Sequence, residues 1–301
     1  MRSSRPILGE LESGARVLFI RLRSMGDCVL TTPALRMLAD FRPDLDVAVM
    51  VDPQFAGVYE GLASVRRILA PSPKEAFGFH PALTVNLHGG TRSAALTAAT
   101  RARHRAGFGH FRQQYLYNIA IPRAQEILGE ERVVHTAEHV ASALFYLGLP
   151  LRDIPRADLS AAPAADGRPY AVLHPFASAP EKAWPVEKFV ELAAALPFEA
   201  VVLAGPADDV SPFSRFRCVV NQPLSTVKTL LRGTSLFVGN DSGPAHIAAA
   251  FDVPLVVLFG PSDPAIWAPW RATRAQVLTS ARAVAVSGVL EAVEKLGVLT
   301  A

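Results

Sequence analysis

The chain has 301 residues, half of them hydrophobic and 19% charged, with a formal net charge of +3. That length fits two domains of ordinary size, the apolar content excludes a disordered chain, and the slight positive balance permits anionic partners without requiring any. The two cysteines, Cys28 and Cys218, lack CxxC spacing and sit in or beside apolar runs, which suits buried positions in a reducing cytosol.

Residues 1–14 carry Arg2 and Arg5 but meet Glu10 and Glu12 before any apolar run long enough for a signal peptide, so a loose tail is expected there. From residue 16 onward short β-branched runs alternate with Ala/Leu-rich segments of helical period, the pattern of parallel sheets with crossover helices. Strands are expected at 16–21 (RVLFIR), 46–51 (DVAVMV), 65–69 and 83–87 (LTVNL), with helices through 30–40, 56–62, 91–101 and 135–147. Residues 149–168 are rich in Pro, Ala and Asp and have little periodicity, which marks a boundary between a first domain (1–155) and a second (156–301). The second half repeats the alternation: strands at 170–174, 200–203, 236–238 and 255–259, and helices at 186–196, 224–232, 244–250 and 286–296, the last of them free to pack back on the first domain. No stretch approaches the roughly 20 apolar residues of a membrane-spanning helix.

Ligands of open parallel sheets bind at the carboxyl ends of the strands, so three loops draw attention. Arg23-Ser24-Met25-Gly26-Asp27 follows the first strand. Asp27 suits a general base that takes the proton of an attacking hydroxyl, or it caps the following helix. After strand 170–174 come Ser178 and Lys182, a hydroxyl and a point charge fit for a diphosphate, although a lysine before a helix is commonly solvated and Trp184-Pro185 can simply staple the helix start. Gly239-Asn240-Asp241-Ser242-Gly243-Pro244-Ala245-His246 lies between a strand and an alanine-rich helix. Gly243 frees the backbone, Pro244 fits a first helical turn, and the helix N-terminus attracts phosphate. Asp241 suits a sugar hydroxyl, and Ser242 and His246 a diphosphate; both acidic and hydroxyl residues also suit ordinary caps.

Other strings carry competing readings. Asp44-Leu45-Asp46 has DxD form but begins a strand near the start of the chain, where a turn is the simpler reading. The eight histidines show no zinc spacing, and no metal is expected. The basic run Arg101, Arg103, His104, Arg105, Arg112 with Phe108 and Phe111 suits a nucleic acid, a phosphorylated lipid or merely a solvated face.

Taken together, residues 20–38 (IRLRSMGDCVLTTPALRML), 85–96 (VNLHGGTRSAAL), 174–189 (HPFASAPEKAWPVEKF) and 238–269 (VGNDSGPAHIAAAFDVPLVVLFGPSDPAIWAP) resemble, in order, the motifs of glycosyltransferase family 9, the ADP-heptose:lipopolysaccharide heptosyltransferases. The resemblance covers nearly the whole chain beyond the tail. It implies an α/β fold of GT-B type, two Rossmann-like parallel-sheet domains facing across a cleft, acceptor-binding first and donor-binding second. It implies an inverting, metal-independent transferase with Asp27 as base. Ser178, Lys182, Asp208 (where the family more often has Glu), Asp241, Ser242, Gly243, Pro244 and His246 would bind the donor; Arg23, Ser24, Gly26 and Arg92 the acceptor. No cofactor is expected beyond the nucleotide-sugar substrate, probed first as ADP-heptose. The acceptor would be lipopolysaccharide core or another glycan, with no nucleic-acid partner, and the protein a cytoplasmic monomer touching the inner face of the inner membrane. The alternatives are a different donor sugar or a non-catalytic nucleotide-sugar or polysaccharide-binding module; a dehydrogenase lacks support because no GxGxxG follows strand 16–21 or 170–174.

Overall fold

The computed structural model describes residues 6–163 and 168–298. The chain divides into two compact units, Met1–Ser160 and Ala161–Ala301.

The first unit runs α1 (Ile7–Glu10), β1 (Arg16–Ile20), α2 (Met25–Phe41), β2 (Asp46–Met50), β3 (Arg67–Leu69), α3 (Pro73–Gly78), β4 (Leu83–Asn86), α4 (Thr91–Ala99), β5 (His104–Phe108), β6 (Ile119–Ile121), α5 (Ala124–Leu128) and α6 (Thr136–Tyr146). Its strands form one parallel sheet in the order β3-β2-β1-β4-β5-β6. Leu18 and Ile20 of β1 join Ala48, Met50, Phe79 and Leu96 in one apolar cluster. Val17 and Phe19, which alternate to the other face, are also fully buried, so both faces of the sheet are covered. Residues 56–62 form no α-helix; a 3-10 stretch, Pro53–Val58, precedes β3 instead.

The helix expected from residue 30 starts five residues earlier, at Met25. It also tolerates Pro33 in its interior. Proline has no N–H to give the carbonyl four residues back, which is that of Val29, and the Thr32 hydroxyl donates to this oxygen instead, at 2.8 Å.

The second unit runs β7 (Tyr170–His174), α7 (Val186–Ala195), β8 (Glu199–Ala204), β9 (Arg217–Val220), α8 (Leu224–Gly233), β10 (Leu236–Asn240), α9 (Gly243–Ala250), β11 (Leu255–Leu258), α10 (Pro264–Trp267), β12 (Ala275–Leu278) and α11 (Val286–Lys295). Its strands are again all parallel, in the order β12-β11-β10-β7-β8-β9. Trp184, Phe189, Phe213, Leu236, Val256 and Leu258 fill its core, and α11 contributes Val286, Val289, Ala292 and Val293 to the same cluster.

Both units therefore have the strand order of a dinucleotide-binding fold. In each, the chain reverses direction across the sheet at one place, β1 against β4 in the first and β7 against β10 in the second. At such a place two neighbouring strand-end loops diverge and leave a crevice. No helix among the described residues is long and apolar enough to cross a membrane.

Candidate active site

At the reversal in the first unit stand the loops after β1 and β4. Ser24 is the N-cap of α2 and Asp27 its third residue, so Asp27 belongs to the first helical turn rather than to a loop. Its Oδ2 accepts from the Ser24 backbone N–H at 3.1 Å and from the Ser24 hydroxyl at 3.0 Å. This is the acidic half of a capping box, so the capping reading of Asp27 is realised. Its Oδ1 lies 3.4 Å from Nη1 of Arg21, whose Nε donates to Thr31 Oγ1 at 3.3 Å. Arg21 is buried, and Asp27 keeps about a fifth of its side chain exposed (20%). The carboxylate is thus held from behind and still reachable.

Arg23 is exposed beside it and Gly26 half-buried in the same turn. Arg92, the second residue of α4, pairs with Asp52 at 3.0 Å, which ties it to the end of β2. After β4, the Asn86 carboxamide accepts from the backbone N–H groups of His88 and Gly89 at 3.0 and 3.1 Å and shapes the turn. Burial, then the charges of Arg21 and Arg23, lower the pKa of His88, while Asp27 opposes them. His139 on α6 is pushed down to about 4 by burial first, then by His110 and Arg21, again against Asp27. The sequence pointed to Asp27 but not to this surrounding set of Arg21, His88, His110 and His139, which assemble only in the folded sheet.

A neutral, depressed histidine has a consequence for acid stability. Between about pH 6.5 and 4 the unfolded chain binds a proton at His139 that the native state refuses. Stability is therefore expected in full above pH 6.5 and to decline as pH falls toward 4. Thermal denaturation across that range checks this: His139→Gln should flatten the slope relative to wild type.

The second unit carries its site at the ends of β7, β10 and β11. Asn240, the fully buried last residue of β10, accepts from the Trp184 N–H at 2.9 Å and donates to the Pro175 carbonyl at 2.7 Å. Trp184 is itself fully buried, and its indole N–H donates to the Val284 carbonyl at 2.9 Å. The loop after β7 is thereby clamped at both ends. Between the clamps lie exposed Ser178 and half-buried Lys182, the last residue of a 3-10 turn, Pro180–Lys182. A Cβ on Gly260, after β11, would come within 2.9 Å of the Lys182 Cα and of the Glu181 carbonyl oxygen, so only glycine lets the Lys182 backbone lie this close.

Burial raises the Asp241 carboxyl, while a hydrogen bond with Ser262 and the charge of Lys182 lower it. The net shift is upward. Ser242 is the N-cap of α9, yet its hydroxyl makes no capping bond. Its Oγ is buried and has no hydrogen-bond partner among the described residues. Gly243 and Pro244 form the first turn of α9, and buried His246 follows in the second. Asp208 turns back on its own loop: its Oδ2 accepts from the Gly205 N–H at 2.7 Å.

The other strings resolve differently. Arg42 donates to both carboxylate oxygens of Asp44, at 2.8 and 2.7 Å, and Asp46 pairs with Arg67 at 3.1 Å, so the DxD string is an ion-paired turn at the start of β2. His135 caps α6 through Nδ1, which accepts from the Ala137 N–H at 3.1 Å. Among the described residues no three His, Cys, Asp or Glu side chains lie together as a metal site. Both cysteines are free; burial pushes the Cys28 thiol up to about 12.

A model of glycosyltransferase family 9 (heptosyltransferase) matches residues 82–288. Among curated proteins, lipopolysaccharide heptosyltransferase 3 of Escherichia coli (strain K12) is 26% identical over 294 residues, 83% of each chain. Among solved structures, a family 9 glycosyl transferase from Veillonella parvula DSM 2008 superposes with a TM-score of 0.82 at 19% identity, covering 99% of each chain. An E. coli heptosyltransferase solved with ADP superposes with a TM-score of 0.77 at 21% identity, over 93% of this chain and 99% of that one.

Proposed function

The chain belongs to glycosyltransferase family 9, the heptosyltransferase family, and is a glycosyltransferase of GT-B type; from that premise we propose that it transfers heptose from ADP-heptose to a lipopolysaccharide core acceptor. The transfer inverts the anomeric centre and uses no bound metal. The observation that carries the reading is the buried hydroxyl of Ser242, without a partner among the described residues, at the N-terminus of α9, where β7 and β10 part. Such a terminus offers unpaired N–H groups and a positive dipole end to an anion. The nearby charge of Lys182, felt by Asp241, adds to it.

In this reading the second unit holds the donor. Lys182, the Ser242 hydroxyl and the amides at Gly243 receive the diphosphate, with Ser178 and His246 as further polar contacts and Pro244 fixing the turn. Asp241 accepts from a sugar hydroxyl, and the Asp208 loop borders the nucleoside. The first unit holds the acceptor, with Arg23, Ser24, Gly26 and Arg92 around Asp27. Asp27 takes the proton of the acceptor hydroxyl as that oxygen attacks the anomeric carbon. The bond from that carbon to the diphosphate oxygen breaks, and the charge arriving on the leaving group is met by Lys182 and the α9 amides. Because a lysine and a helix terminus supply this positive charge, the leaving group needs no metal ion. The identification of ADP rests on the relative of similar fold that was solved with it. The site of action is the cytoplasmic face of the inner membrane, where the protein works as a monomer.

Calorimetry against ADP-, UDP-, GDP- and dTDP-sugars tests the donor side. ADP-heptose is expected to bind best, and Lys182→Ala to weaken it by about 10- to 100-fold, the loss of one hydrogen bond to a charged group. Equal affinity for all four nucleotides, or an unchanged Kd in the variant, would overturn the donor assignment.

A further inference from the structure

The basic and aromatic residues between 101 and 112 do not form one patch. His104 begins β5 and Phe108 ends it, so they lie about 13 Å apart along the strand. Arg105 turns to the carbonyls of Ala102 and Leu116, and Arg101 lies over the Phe77 ring at 5.3 Å. The aromatic part is left by itself at the carboxyl end of the sheet.

There Phe108 is fully buried, and the His139 imidazole lies flat on it, with centroids 4.0 Å apart and planes 19° from parallel. Phe111 meets Phe108 edge-on at 5.6 Å, and the exposed ring of His110 meets Phe111 edge-on at 4.8 Å. Phe111 also covers Gly89, where a Cβ would come within 2.9 Å of the ring, so it bridges the loops after β4 and β5. β5 pairs with β4 and β4 with β1, so the loops after β5 and β1 open at the same carboxyl edge of the sheet, and α6, which carries His139, packs against α2, which carries Asp27. Desolvation lowers both imidazoles below their ordinary value, which favours their neutral form.

An uncharged surface of ring faces and edges next to buried Arg21 and exposed Arg23 divides the ligand chemistry by type. Anionic groups go to the exposed Arg23 guanidinium. Ring faces, with their negative π-clouds, suit the weakly positive C–H face of a sugar, and a neutral imidazole can exchange hydrogen bonds with its hydroxyls. We propose that His110 and Phe111 form the subsite that seats a sugar ring of the glycan acceptor beside Asp27. The proposal rests on the reading of the first unit as the acceptor side.

The test uses the full chain with His110→Ala, Phe111→Leu and the ring-restoring Phe111→Tyr. Binding of heptose-free lipopolysaccharide core is measured by calorimetry without donor, and transfer from ADP-heptose by steady-state kinetics. Both truncating variants are expected to raise the Kd and KM for the glycan about tenfold, equivalent to ~1.4 kcal/mol. The KM for ADP-heptose stays within about twofold, and Phe111→Tyr returns the glycan affinity toward wild type. Unchanged glycan affinity in both variants, or an equal rise in both KM values, overturns the subsite, as does a wild type that does not bind the glycan. A wild type that binds the glycan but transfers nothing overturns the heptose-transfer reading instead, and the variants' Kd values still decide the subsite.

Discussion

Replacing Asp27 by Asn is expected to cut turnover by about 10²- to 10⁴-fold, the span typical of a lost general base, while the Kd for ADP stays unchanged. The substitution keeps shape and leaves one oxygen to accept from the Ser24 N–H, the bond seen at 3.1 Å. What disappears is the capacity to take a proton and the ion pair with Arg21. Because Asp27 also completes the cap of α2, a purely structural role would show as a stability loss of about 1 kcal/mol with activity largely kept. Thermal denaturation beside transfer assays with ADP-heptose and heptose-free lipopolysaccharide separates the two. A variant that is less stable but turns over within about tenfold of wild type would make Asp27 a cap and nothing more.

The second large effect is expected at Asn240. Its carboxamide serves the Trp184 N–H and the Pro175 carbonyl at once, both away from solvent. Asn240→Ala leaves a buried donor and a buried acceptor unmet, at about 1–3 kcal/mol each, so a loss of about 2–6 kcal/mol is expected. At roughly 2–4 °C per kcal/mol, the melting transition should fall by about 4–24 °C. The loop carrying Lys182 hangs between these two anchors, so the Kd for ADP should rise in the same variant. Calorimetric melting with and without ADP reads both effects. A melting point within about 2 °C of wild type would show that the clamp contributes little.

The elements legible in the sequence were those with strong apolar period. The central strands β1, β4, β7 and β10 read directly because they are buried on both faces and rich in Val, Leu and Phe. The edge strands β9 and β12 did not, since RCVV and AQVL are short and largely half-exposed and so lack a clean pattern. β5 was hidden by the Arg and His at its open end. In sequence the first turn of α2 reads as a loop because Gly26 is a poor helix former, although Ser24 with Asp27 three residues later is a capping signal. At the candidate site, Asp27, Lys182 and Asp241 to His246 stood out by position in strand-end loops. The clamp at Asn240, the close approach at Gly260 and the shelf at His110 do not, since each depends on partners roughly 20 to 80 residues away that only the folded sheet supplies.

The matching strand orders of the two sheets bear on how such a chain can evolve. Each half has a self-sufficient interior and its own crevice at an equivalent place in the winding. On the proposed assignment of donor and acceptor, a mutation that retunes nucleotide choice among the loops of the later half need not disturb side chains that select the glycan in the earlier one. Specificity for the two substrates can therefore drift separately, and exchange of whole halves between relatives is a natural route to new pairings.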